Sequence, residues 1–116
     1  MKRLLFVIIS LVLLTSTLSA NADSAIYKGQ KTYLVKLKGS FKLDAQSFAS
    51  EHTAAEWARL FDNNAEAFID QYSQRYPRAS RYLHSERFQN KAADLLVFAI
   101  TYAKGSGQTP LCTCAL

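Results

Sequence analysis

Beyond residue 22, apolar side chains return mostly at three- and four-residue intervals, the spacing of a single helix face. The exception is Tyr33-Leu34-Val35-Lys36-Leu37-Lys38, where Tyr33, Val35 and Leu37 alternate with other residues as in a strand. Tyr33, Leu34, Leu37 and Phe41 also fit a helix stripe, and the pattern alone does not choose between the two. Asp44 is placed to accept from the free amides of a short helix over about Ala45 to Ser50, with Leu43 packing on Phe48 as a staple. Thr53-Ala54-Ala55-Glu56 is a capping box, in which the hydroxyl and the carboxylate satisfy first-turn amides. It opens a helix to about Asp62 that carries Trp57, Leu60 and Phe61 on one face. After the turn-prone pair Asn63-Asn64, residues Ala65, Phe68, Ile69, Tyr72 and Tyr76 form an amphipathic stripe that Pro77 ends. Ser85 caps the longest helix, through Phe88, Ala92, Leu95, Ala99 and Tyr102 to Lys104, and Gly105 takes a left-handed stop. Its segment from Leu95 to Ile100 is apolar all round and is expected to be the most buried of the chain.

The amino terminus is of another kind. Lys2 and Arg3 precede an apolar run from Leu4 to Leu14, and a polar stretch closes on Ala20-Asn21-Ala22, the order of an export signal with a small-residue cleavage site. The run spans about half of a ~30 Å hydrocarbon core. Residues 1–22 therefore read as a cleaved signal peptide, residues 23–104 as a helical domain and residues 105–116 as a flexible, cysteine-bearing tail. The location expected is periplasmic or secreted, with no membrane span after cleavage. The fold class expected is all-α, a bundle of four to five helices.

Charge refines this picture. Two of the fourteen basic residues leave with the signal, so twelve face nine acidic residues, a mild net +3. Lys28, Lys31, Lys36, Lys38 and Lys42 form one basic stretch, and Arg75, Arg78, Arg81 and Arg87 form another. Between them, Asp44 to Asp70 holds six acids against Arg59 alone. The alternation of arginine and tyrosine from Tyr72 to Phe88 is superficially that of a nucleic-acid surface, but export removes that partner. An acidic protein or an envelope component is the partner expected.

Lys28-Gly29-Gln30-Lys31-Thr32-Tyr33, a G-x-x-x-Y segment continued by the basic stretch to Lys38, resembles the first helix of small c-type cytochromes. His52-Thr53-Ala54-Ala55-Glu56-Trp57 resembles a helix start in small exported bacterial proteins labelled cytochrome c-like. Asp94 to Gly107, followed by Pro110-Leu111-Cys112, is similar to that group's last helix and tail. The resemblance implies a cytochrome c-like arrangement of helices and makes the ambiguous first segment helical. Covalent haem is not implied with it. Attachment requires C-x-x-C-H, whereas Leu37-Lys38-Gly39-Ser40-Phe41 has neither cysteine nor histidine, and the only methionine is Met1.

His52 and His84 are the only imidazoles, and as a pair they are the candidate axial ligands for haem bound without attachment. Read as ordinary residues, both lie just outside helix starts. His52 and Glu56, four apart, are half of a zinc-like pattern, with His52 outside the helix that carries Glu56. Cys112 and Cys114 read as a small strained disulfide or free thiols, as a bond to a second chain, or as two ligands for a soft metal such as Cu(I). The resembling group carries a cysteine near its first helix, where this chain has Gly39-Ser40, so a family-type staple has no partner. No nucleophile elbow, phosphate loop or paired acidic motif points to catalysis. The function expected is a non-catalytic accessory or binding protein for an electron-transfer or envelope complex, a monomer or disulfide-linked dimer without a cofactor. The alternative is an electron carrier holding haem through His52 and His84.

Overall fold

The computed structural model describes residues 23–110, which hold six helices and no strand. The segment read as an export signal and both cysteines lie outside the described residues. The first helix, α1, covers 23–41, so the ambiguous stretch is helical after all. Its Tyr33–Leu37 turn is a π-helix, closed by the Lys38 amide donating to the Tyr33 carbonyl. Of the two sequence patterns the helix stripe is the one realised, since a strand would have put Val35 on the face of Tyr33 and Leu37. Residues four apart, Tyr33, Leu37 and Phe41, all reach the core, while Val35 between them points to solvent. Lys42, left-handed at φ 58°, ends the helix.

Helix α2 (Ala45–Ala49) starts as its sequence predicts: the Ser47 amide donates to Asp44 Oδ1 at 2.7 Å, which holds that carboxyl below the usual aspartate range. In α3 (Ala54–Leu60) the Glu56 amide donates to Thr53 Oγ1, the threonine half of the capping box. The glutamate half differs. Instead of capping a backbone amide, the Glu56 carboxylate accepts from the Thr53 hydroxyl and from the His52 ring.

Helix α4 (Asp62–Arg75) contains a sharp reversal at Asn63-Asn64-Ala65, all three left-handed. The turn expected from the asparagine pair is thus present, and the regular part of α4 starts after it. Pro77 ends α4 as expected, but the segment behind it is not a loop. A 3₁₀ turn, Pro77–Ala79, leads into the short helix α5 (Ser80–Leu83), which accounts for six helices where four or five are legible in the pattern. Helix α6 (Glu86–Thr101) is capped by Ser85 Oγ, which accepts from the Phe88 amide.

Helix α6 is the hub, in contact with α2, α3, α4 and α5. It also meets α1 at Gly29, whose Cα lies against the Asp94 backbone and Phe98. Leu95, Phe98 and Ala99 are buried, whereas Leu96, Val97 and Ile100 are half-buried. The all-round apolar run is therefore deepest on one side only, because nothing among the described residues covers the other completely. Between α1 and α6 the centre is filled with rings. Tyr33 stacks on Phe48 at 4.4 Å, Phe48 meets Trp57 at 5.0 Å, and Trp57, Phe48, Tyr33, Phe68 and Phe98 are all fully buried. Each such pair adds about 0.5–1.5 kcal/mol to the area it buries. The buried Trp57 Nε1 donates to the Ala49 carbonyl at 2.8 Å, fixing α3 to the end of α2. None of the helices among the described residues is long and apolar enough to cross a membrane.

Candidate functional site

Lys28, Lys31 and Lys36 project from α1 at helical spacing, and Lys91 and Asp94 project from α6 beside them. Together with Tyr82 of α5 they line a groove of about 460 Å³. The floor is apolar in part: Tyr27, 58% exposed, and Val35, 63% exposed, are the exposed large hydrophobic residues of the described chain, and both lie in this groove. Their coincidence in one groove between cationic walls distinguishes it from an ordinary solvated face.

A second hollow adjoins it, lined by Arg78, Arg81 and Arg87 with Ser85 and Glu86. Tyr82 lines both depressions. Parts of the two basic segments, separate in sequence, thus line adjoining depressions: Lys28, Lys31 and Lys36 of the first, and Arg78, Arg81 and Arg87 of the second. Seven cations stand there with two carboxylates, Glu86 and Asp94. The ion pairs among the described residues are His52–Glu56 and Glu51–Arg75, so none of these seven is ion-paired with another described residue. Burial raises the Tyr82 phenol above its ordinary value, against the opposing pull of Arg87, so it stays a neutral hydrogen-bond donor.

The histidines do not meet. The His52 carbonyl accepts from the Lys104 amide at 3.0 Å, beyond the carboxyl end of α6, while His84 stands two residues before its first residue, Glu86. A helix of 16 residues is about 24 Å long, far beyond the reach of one iron. Each ring has a structural role. His52 Nδ1 donates to Glu56 Oε2 at 3.0 Å with its edge toward Trp57, and His84 Nδ1 donates to the Ser80 carbonyl at 2.8 Å, closing α5. A bis-histidine haem does not fit these residues. Among the described residues no three ligating side chains cluster as a metal site.

A further polar cluster braces the fold. Glu51 accepts from the Tyr72 hydroxyl at 2.8 Å and from the Arg75 guanidinium at 2.8 Å, and the guanidinium lies over the Tyr76 ring at 5.1 Å. The bond from Glu51 raises the Arg75 pKa, and burial raises that of Tyr72. Arg75 is thus spent on the fold and not on the basic surface.

The basic stretches were legible in the sequence. Tyr27, Tyr82 and Lys91 were not singled out, and Val35 was named only for its place in the alternating stretch, since the groove exists only where α1, α5 and α6 meet. No protein-family model, curated protein or solved structure matches the chain, so the functional reading rests on its own residues.

Proposed function

We propose that the chain is an exported, non-catalytic binding module whose lysine- and arginine-rich surface docks an acidic partner protein of the cell envelope. The single observation that carries this reading is Tyr82 lining both depressions, which sets side by side seven cations that have no ion pair among the described residues. Such a surface attracts an anionic partner over about a Debye length and gives association its salt dependence. The cytochrome c-like arrangement of helices without covalent haem belongs to the same proposal. It is supported by the G-x-x-x-Y segment that carries the resemblance: Gly29 of that segment is the point at which the first helix crosses the last. Export is supported by the leader pattern of residues 1–22.

Calorimetric titration of the exported, processed protein with poly-L-glutamate tests the reading. Binding is expected at low ionic strength, weakened by added salt, and lost in the Lys31→Glu/Arg81→Glu double variant with its helix content intact. Absence of binding, or binding indifferent to the two reversals, overturns it. A Soret band retained by the purified protein overturns the cofactor-free part.

A further inference from the structure

Resting on that reading, we propose that the groove between α1 and α6 is its specificity pocket, and that it takes a partner segment carrying an apolar side chain flanked by carboxylates. Tyr27 and Val35 are the observations that require more than charge. An apolar side chain set between them leaves water on both sides of the contact, while flanking carboxylates reach Lys28, Lys31, Lys36 and Lys91 on the walls. The π-turn of α1 holds Val35 outward while Tyr33 and Leu37 are anchored in the core, so the apolar floor is presented by a rigid helix and is formed before binding. Gly29 sets the other wall: without a Cβ there, α1 lies close enough to α6 for Lys91 and Asp94 to face the lysines of α1. Asp94, the one acid among the described residues that line the groove, disfavours an unbroken row of carboxylates at its own position and suits an interrupted one. The groove is concave, which fits a chain segment better than the flat face of a bilayer. The arginine hollow, lined by more polar residues, supplies attraction without the same selection.

The test compares two acetylated hexapeptides, one of six glutamates and one with leucine and phenylalanine between two pairs of glutamates. Binding to the full, processed chain is measured by fluorescence anisotropy at about 150 mM salt, where exposed charges are screened beyond ~8 Å. The interrupted peptide is expected to bind about tenfold tighter, ~1.4 kcal/mol. Tyr27→Ser/Val35→Ser is expected to abolish that preference while leaving hexaglutamate affinity unchanged; both side chains are exposed, so the fold is not at stake. Equal binding of the two peptides, or a preference that survives the double variant, overturns the pocket and leaves the basic surface standing. Failure of both peptides at about 150 mM salt overturns the pocket, and their failure at low ionic strength too overturns the basic-surface reading as well. Binding to phosphatidylglycerol vesicles with no binding to either peptide assigns the surface to lipid and overturns both proposals.

Discussion

Gly29 meets the backbone of Asp94 with no room for a methyl group: a Cβ built there would lie 2.1 Å from the Asp94 carbonyl oxygen and 2.7 Å from Phe98 Cβ. In an ordinary helix interior, alanine is favoured over glycine by about 0.5–1 kcal/mol. Here the obstacle is backbone of the hub helix, which does not swing aside. Gly29→Ala is expected to destabilise by about 2–4 kcal/mol, the range of overpacking against a rigid neighbour and beyond. Urea unfolding followed by circular dichroism checks it, and a variant as stable as the parent would mean that α1 and α6 do not cross at this residue.

Glu51 is expected to matter more than Arg75, although they share one ion pair. Its side chain is the less exposed, 18% against 52%, and it alone satisfies the buried Tyr72 hydroxyl. Glu51→Ala is expected to cost about 2 kcal/mol, because a buried donor loses its charged acceptor. Arg75→Ala is expected to cost less than ~1 kcal/mol, as for exposed pairs generally. A double-mutant cycle on chemical unfolding measures both costs and their coupling.

Most elements were legible because local chemistry sets them. Asp44, Thr53 and Ser85 each accept the amide that their position at a helix start predicts. What escaped the sequence depends on tertiary context. The π-turn at Tyr33–Leu37 leaves no mark in the pattern, because Tyr33, Leu37 and Phe41, four apart, fit the stripe of an ordinary helix equally well. Helix α5 is four residues long and its sequence has no apolar stripe of its own. The groove was half legible: its cations announced themselves as two runs, but their approach through Tyr82, and the placing of Tyr27 and Val35 of α1 beside Lys91 of α6, exist only after α1, α5 and α6 pack. His52 and His84, adjacent to similar helix starts in sequence, are separated by the length of α6.

Lys42 and Asn64 are exposed residues held in the left-handed region, at φ 58° each. Neither side chain makes a hydrogen bond among the described residues that offsets the conformation, unlike Asn63, whose amide donates to Glu66. Left-handed geometry costs an L-residue about 1–2 kcal/mol, and asparagine less. Lys42→Gly is accordingly expected to stabilise by about 0.5–1 kcal/mol and Asn64→Gly by a smaller amount. Ala65→Gly, at φ 60°, gains the same relief but gives up a buried methyl, and is expected to be near neutral. Thermal unfolding of the three variants checks the order, and a destabilised Lys42→Gly would mean that α1 does not end in this turn.

Alkaline pH should unfold the protein through two phenols. Burial is the main cause that raises Tyr33 and Tyr72 well above the ordinary tyrosine value of 10.0, and both hydroxyls donate, to the Leu43 carbonyl and to Glu51 respectively. Because the folded pKa exceeds the unfolded one, the stability due to these groups is complete below about pH 10 and is lost as pH rises above it toward the folded values. Each contributes a slope of up to ~1.4 kcal/mol per pH unit in that window. Absorbance at about 295 nm should therefore show Tyr33 and Tyr72, two of the six tyrosines, ionising late, together with the loss of helical ellipticity. Tyr72→Phe removes one proton from the linkage, so stability should fall less steeply above pH 10 even though the variant starts from a lower value, having lost the bond to Glu51. Ionisation of all six tyrosines with helix content unchanged would mean that these rings are not packed at the centre of the bundle.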